Sequence, residues 1–165
     1  MIRVRVATLS GAVHLTVHDR EIAMERLPPV HTVRERVGRW ARGRKYQIRG
    51  LLPEPIAVSY KVLDDRIRLD FPTGPTEVRI RLTRSAPFSI GGHRVRLHIF
   101  PLRGRLLLQS LDGKKLARGT YGLTGVEFTH YEKPLEPFVA ALAVGFALRE
   151  EWSEAMWVPL AASVM

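Results

Sequence analysis

Four Arg-x-Arg pairs stand in strand-like alternating stretches: Arg3/Arg5, Arg66/Arg68, Arg79/Arg81 and Arg94/Arg96. Residues two apart on a β-strand share a face. The intervening Val4, Ile67, Ile80 and Val95 are apolar and belong on the opposite, core-facing side. Paired guanidinium forks on one outer face suit phosphate, which they bind through two parallel hydrogen bonds. The stretches 77–83 and 93–100 are close in sequence, and closely connected strands are usually neighbours. The expectation is one exposed anion-binding panel of Arg79, Arg81, Arg94 and Arg96. A plainer reading is a solvated barrel exterior whose charges discourage edge pairing.

A second basic cluster follows a change of period. Thr32 and Glu35 form a capping box at a helix start. Val33, Val37, Trp40 and Ala41 then share one helical face, and Gly43 suits a C-terminal cap. The spacing predicts a short amphipathic helix over 33–42. Arg39, Arg42, Arg44 and Lys45 join the expected anion-binding set, because a basic amphipathic helix can lie on an anionic membrane. More often such a stripe caps one mouth of a barrel.

Other chemistry is poorly supplied. His14 and His18 would share a strand face, but no third ligand accompanies them, so no metal site is expected. There is no cysteine, which removes thiolate nucleophiles and disulfides. No nucleophile elbow, zinc-protease helix, phosphate loop or dinucleotide fingerprint occurs. Glu127 and Glu132 have no spacing that favours a catalytic pair over solvent exposure. The expectation is a protein without catalytic residues or cofactor.

The formal charge is +10, from 26 Lys and Arg against 16 Asp and Glu. Such a field attracts polyanions and anionic surfaces without specifying which. Nucleic acid is the alternative partner to phospholipid head groups. Against nucleic acid, aromatics do not alternate with the basic strand residues as a stacking platform requires. The 165 residues suit one domain, 1–165. The opening residues carry Arg3 and Arg5 and alternate like a strand, unlike a secretory signal. The longest apolar run, 138–148, falls short of the ~20 residues of a membrane span. The expected location is cytoplasmic, and peripheral to a membrane if the basic face meets lipid.

These side chains must be positioned by strands. Period-two alternation dominates the first 130 residues, with stretches at 3–8, 13–17, 21–26, 45–49, 56–62, 66–71, 77–83, 88–90, 93–100, 105–110, 114–118 and 126–130. Asp112-Gly113 is the strongest hairpin signal. Pro134 and Pro137 then precede or open a helix, and Phe138 to Leu148 contains no polar side chain on any face. A helix apolar all round is buried all round. The expected fold is mainly β: a closed antiparallel barrel of about ten to twelve short strands enclosing a hydrophobic C-terminal helix.

In that order of parts, with the strand–turn–strand 104–119 and the apolar helix 138–148, the chain resembles the tubby C-terminal domain and its relatives, the LURP-one-related proteins and phospholipid scramblases. The resemblance is one of architecture over most of the chain, with no exact short motif. It implies a barrel around a helix, and binding rather than catalysis. It carries no ligand over by position, because the scramblase cysteine-rich and calcium-loop segments and a matched lipid-binding motif are absent. The expected function is a non-enzymatic module whose basic outer surface engages an anionic partner such as phospholipid head groups. A small ligand-binding barrel or enzyme is the remaining alternative, disfavoured because the helix would occupy the cavity.

Overall fold

The computed structural model describes residues 1–7, 12–27, 45–62 and 64–163, with side chains as far as 150. The expected helix 33–42 lies outside the described residues, as do Arg39, Arg42 and Arg44. The strands are β1 Ile2–Val6, β2 Val13–Val17, β3 Arg20–Ile22, β4 Met24–Arg26, β5 Lys45–Ile48, β6 Ile56–Lys61 and β7 Arg66–Phe71. They continue as β8 Gly74–Arg81, β9 Arg84–Ser85, β10 Phe88–Ile90, β11 His93–Phe100, β12 Arg105–Ser110, β13 Lys115–Gly122 and β14 Gly125–Tyr131. Each long strand alternates as its sequence dictates, with Val4, Ile67, Val78 and Val95 fully buried and their neighbours turned outward.

All pairs are antiparallel, and nearly every strand lies beside its sequence neighbour. β1 pairs with β14, and the path runs from there through β13, β12, β11, β9 and β8 to β4. Its two ends, β3 and β4, are separated only by Ala23, whose carbonyl accepts a hydrogen bond from the Arg49 amide at 3.0 Å. The barrel is thus nearly closed. The fourteen strands exceed the ten to twelve expected because two chain passages break in the middle. β3/β4 bends at Ala23, and β9/β10 was not foreseen as a continuous passage. Taking each as one leaves twelve. The closure between β1 and β14 demands glycine: Gly125 has φ +144°, and a Cβ there would lie 1.9 Å from the Val4 carbonyl oxygen.

An eight-stranded barrel is filled by its own side chains, and a wider one leaves a space. Here the first part of α1, Glu136–Ser163, fills it. Every residue from Val139 to Leu148 is buried, Gly145 included. Gly145 approaches the wall so closely that a Cβ would meet Ile67 Cγ2 at 2.3 Å and Val58 at 3.3 Å. Small residues let the helix fit, and Leu142, Val144 and Phe146 fill the space left around it. The helix begins after Leu135, which is buried beside the Gly91 turn.

Each end of the enclosed segment is latched by polar contacts. At the near end, where the helix begins, Glu136 accepts from Tyr131 at 3.0 Å and lies 2.6 Å from His18 Nε2. Burial, then the Glu136 contact, push the Tyr131 phenol up to about 12. At the far end Arg149 grips both oxygens of Asp65, at 2.8 and 3.1 Å, and Tyr60 donates to the same carboxylate at 2.7 Å. The Arg149 guanidinium also lies 5.5 Å from the Phe146 ring centroid, a cation–π distance.

Candidate anion-binding face

Between positions 78 and 126 the sequence holds ten Lys and Arg but one acid, Asp112. The fold turns that stretch into contiguous wall, from the end of β8 through β9, β10, β11 and β12 to β13. Of its ten cations, only Lys114 has a carboxylate partner among the described residues, Glu132. Asp112 is occupied within its own turn by Ser110. Elsewhere the outward arginines are often neutralised. Arg3 pairs with Glu127 at 2.7 Å, Arg66 with Asp64 and Glu77, and Arg68 with Asp70 at 2.9 Å.

The expected panel requires a correction in its geometry. β8 and β11 are not neighbours, because Arg84–Ile90 forms its own passage between them. The short connection was itself a strand. Arg79 and Arg81 on β8, and Arg94 and Arg96 on β11, do share the outer face. Arg79, Arg81 and Arg94 are exposed and Arg96 is half-buried. Arg84, which sequence reasoning passed over, fills the gap: it lies opposite Arg81 on one side and His98 on the other.

Register extends this contact into a row across the outer wall. Arg81 faces Arg84, Arg84 faces His98, His98 faces Leu107, Leu107 faces Arg118, and Arg118 faces His130. At ~4.8 Å between strands, six such positions span about 24 Å. Two irregularities in register, beside Leu108/Gln109 and Arg118/Gly119, interrupt the ladders of β13. Bulges of this kind re-aim side chains. Over them lies an open groove of about 490 Å³, edged by Arg105, Lys115, Arg118 and His130 with Leu107 and Thr120 between.

The electrostatics of the face are visible in two groups. Burial, then the fields of Arg96 and Arg84, hold the His98 imidazole below its ordinary value. The Arg96 Nε is buried and has no hydrogen-bond partner. An unsatisfied buried donor on a cation is costly, and an acceptor that reached it would recover that cost.

Comparison with family models, curated proteins and solved structures finds no match to this chain. The resemblance to the tubby group therefore finds no support in these comparisons.

The remaining expected residues fall elsewhere. Lys45 opens β5, exposed and away from the basic wall. His14 and His18 do not share a strand face. His14 is on β2 beside Glu21 at 3.2 Å, whereas His18 lies in the following turn with φ 49° and reaches Glu136. Among the described residues no three His, Asp or Glu side chains converge as metal ligands would. Among them, too, no helix is long and apolar enough to cross a membrane. The signal that could have found the face is the acid-free run itself, which pairing of arginines by local spacing does not reveal.

Proposed function

We propose that this protein is a non-enzymatic binding module whose basic wall engages the phosphates of anionic phospholipid head groups. The observation that carries the reading is the wall from Arg79 to Arg118, where ten cations meet one acid, Asp112, and only Lys114 has a carboxylate partner among the described residues. An intramolecular ion pair satisfies a guanidinium; Arg79, Arg81 and Arg94 are exposed and have no carboxylate partner among the described residues, so their guanidinium groups are open to an external acceptor. The groove beside Arg105, Lys115, Arg118 and His130, of about 490 Å³, has the volume and the charge to seat a phosphorylated head group.

Lipid is favoured over nucleic acid by the same face. Phe100 is the one exposed large aromatic among the described residues, at 45%. Single-stranded nucleic acid needs successive aromatic platforms. The test is co-sedimentation with vesicles of phosphatidylcholine alone, or containing phosphatidylserine or a phosphoinositide, at low and high salt. Binding only to the acidic vesicles, weakening as salt rises, is the expected result. Indifference to all vesicles at low salt would refute the reading. A duplex or single-stranded oligonucleotide that displaces the protein from acidic vesicles at matched phosphate would turn it toward nucleic acid.

A further inference from the structure

Four large apolar side chains stand exposed at one end of the barrel. Leu82 is 93% exposed, Leu102 103%, Leu123 79% and Phe100 45%. The three leucines occupy the connections β8–β9, β11–β12 and β13–β14, and Phe100 ends β11, all at the far end, where Arg149 meets Asp65. Around the ring these are successive far-end connections, and they crown the same half of the wall that lacks acids. Arginines flank them: Arg81 and Arg84 around Leu82, Arg103 and Arg105 after Leu102. Turn tips ordinarily carry small polar residues. Leu82 also has φ 57°, a left-handed conformation that leucine adopts only at a cost. Among the described residues nothing covers Leu82, Leu102 or Leu123.

We infer that this rim inserts into the interfacial layer of an anionic bilayer, with Leu82, Leu102 and Leu123 below the head groups and Arg81, Arg84, Arg103 and Arg105 among the phosphates. The inference rests on the lipid reading above and adds an orientation to it: the barrel stands on its far end. Charge complementarity selects the occupant. An apolar tip ringed by cations matches a surface whose anionic layer overlies hydrocarbon, and matches a second copy poorly, because two such rims would repel.

The chain has no cysteine, so single labels are clean. Leu102→Cys and Leu123→Cys are labelled with an environment-sensitive fluorophore. Leu111→Cys is the control, because Leu111 is also exposed, at 53%, but lies in the β12–β13 turn at the opposite end. With phosphatidylcholine–phosphatidylserine vesicles the labels at 102 and 123 should shift to the blue. Doxyl-bearing phosphatidylcholine should quench them, and the label at 111 should do neither. The unlabelled Leu82→Ser/Leu123→Ser variant should bind these vesicles about a hundredfold more weakly, which is about 2.8 kcal/mol at 1.4 per tenfold. Vesicle binding with no change at 102 or 123, or a shift at 111 instead, would overturn end-on insertion while leaving lipid binding standing. Absence of vesicle binding would overturn both. A shift that follows protein concentration without vesicles would assign the rim to self-association and overturn the inference.

Discussion

His98 is the residue through which the basic wall becomes measurable. It faces Arg84 across the sheet, follows Arg96 along β11 and has Leu107 on its other side. Its folded-state pKa is depressed, so the unfolded chain takes up the proton more readily. The stability contribution is therefore lost as pH falls below the ordinary imidazole value of 6.5. A phosphate on the wall acts the other way, because it stabilises the imidazolium. Affinity for acidic vesicles should rise as pH falls through that window, and His98→Gln should lose this increment while His93 and His130 remain. A pH profile identical in wild type and His98→Gln would show that the phosphate lies elsewhere. None of this was legible from the spacing of Arg94 and Arg96 alone. The opposing Arg84 becomes their neighbour only when 84–90 is recognised as a strand.

At the scale of elements, the barrel depends on two close approaches and two latches. Gly125→Ala puts a methyl group into the Val4 carbonyl and a side chain at φ +144°. The backbone strain alone costs about 1–3 kcal/mol, so thermal unfolding should fall by several degrees or more. Leu142 is completely enclosed, and Leu142→Asp places an unpaired charge there. That costs several kcal/mol of a total of about 5–15, and no soluble, cooperatively melting protein is expected. Asp65→Ala leaves Arg149, whose side chain is 20% exposed, with Glu150 as its remaining carboxylate partner and takes the acceptor from Tyr60. With that partial exposure the loss should be about 1–3 kcal/mol, below the figure for a fully buried pair; chemical denaturation measures it. The helix was legible because a run without any polar residue has one physical solution. The strands were legible by alternation, since one buried face imposes period two. Arg84–Ser85 was too short to alternate, and the bend at Ala23 changes pairing partners without changing the pattern. The latches were not legible at all: Asp65 and Arg149 are 84 residues apart.

For the whole molecule, charge is distributed by function of position around the ring. The half of the wall from β8 to β13 is almost all cation, and its far rim carries the exposed leucines. The net charge of +10 was plain in composition, but its concentration on one face needed the strand order. The most direct test compares two triple variants with the same change in net charge. In one, Arg81, Arg84 and Arg118 of the unpaired wall become Gln. In the other, Arg3, Arg49 and Arg68, each paired with a carboxylate, become Gln. Near an anionic membrane each basic residue is worth about 1 kcal/mol. The wall variant should bind acidic vesicles about a hundredfold more weakly than wild type, with unfolding little changed, and the paired variant should stay within a few-fold. Equal losses in the two variants would mean that net charge alone draws the protein to anions and that the wall is no binding surface.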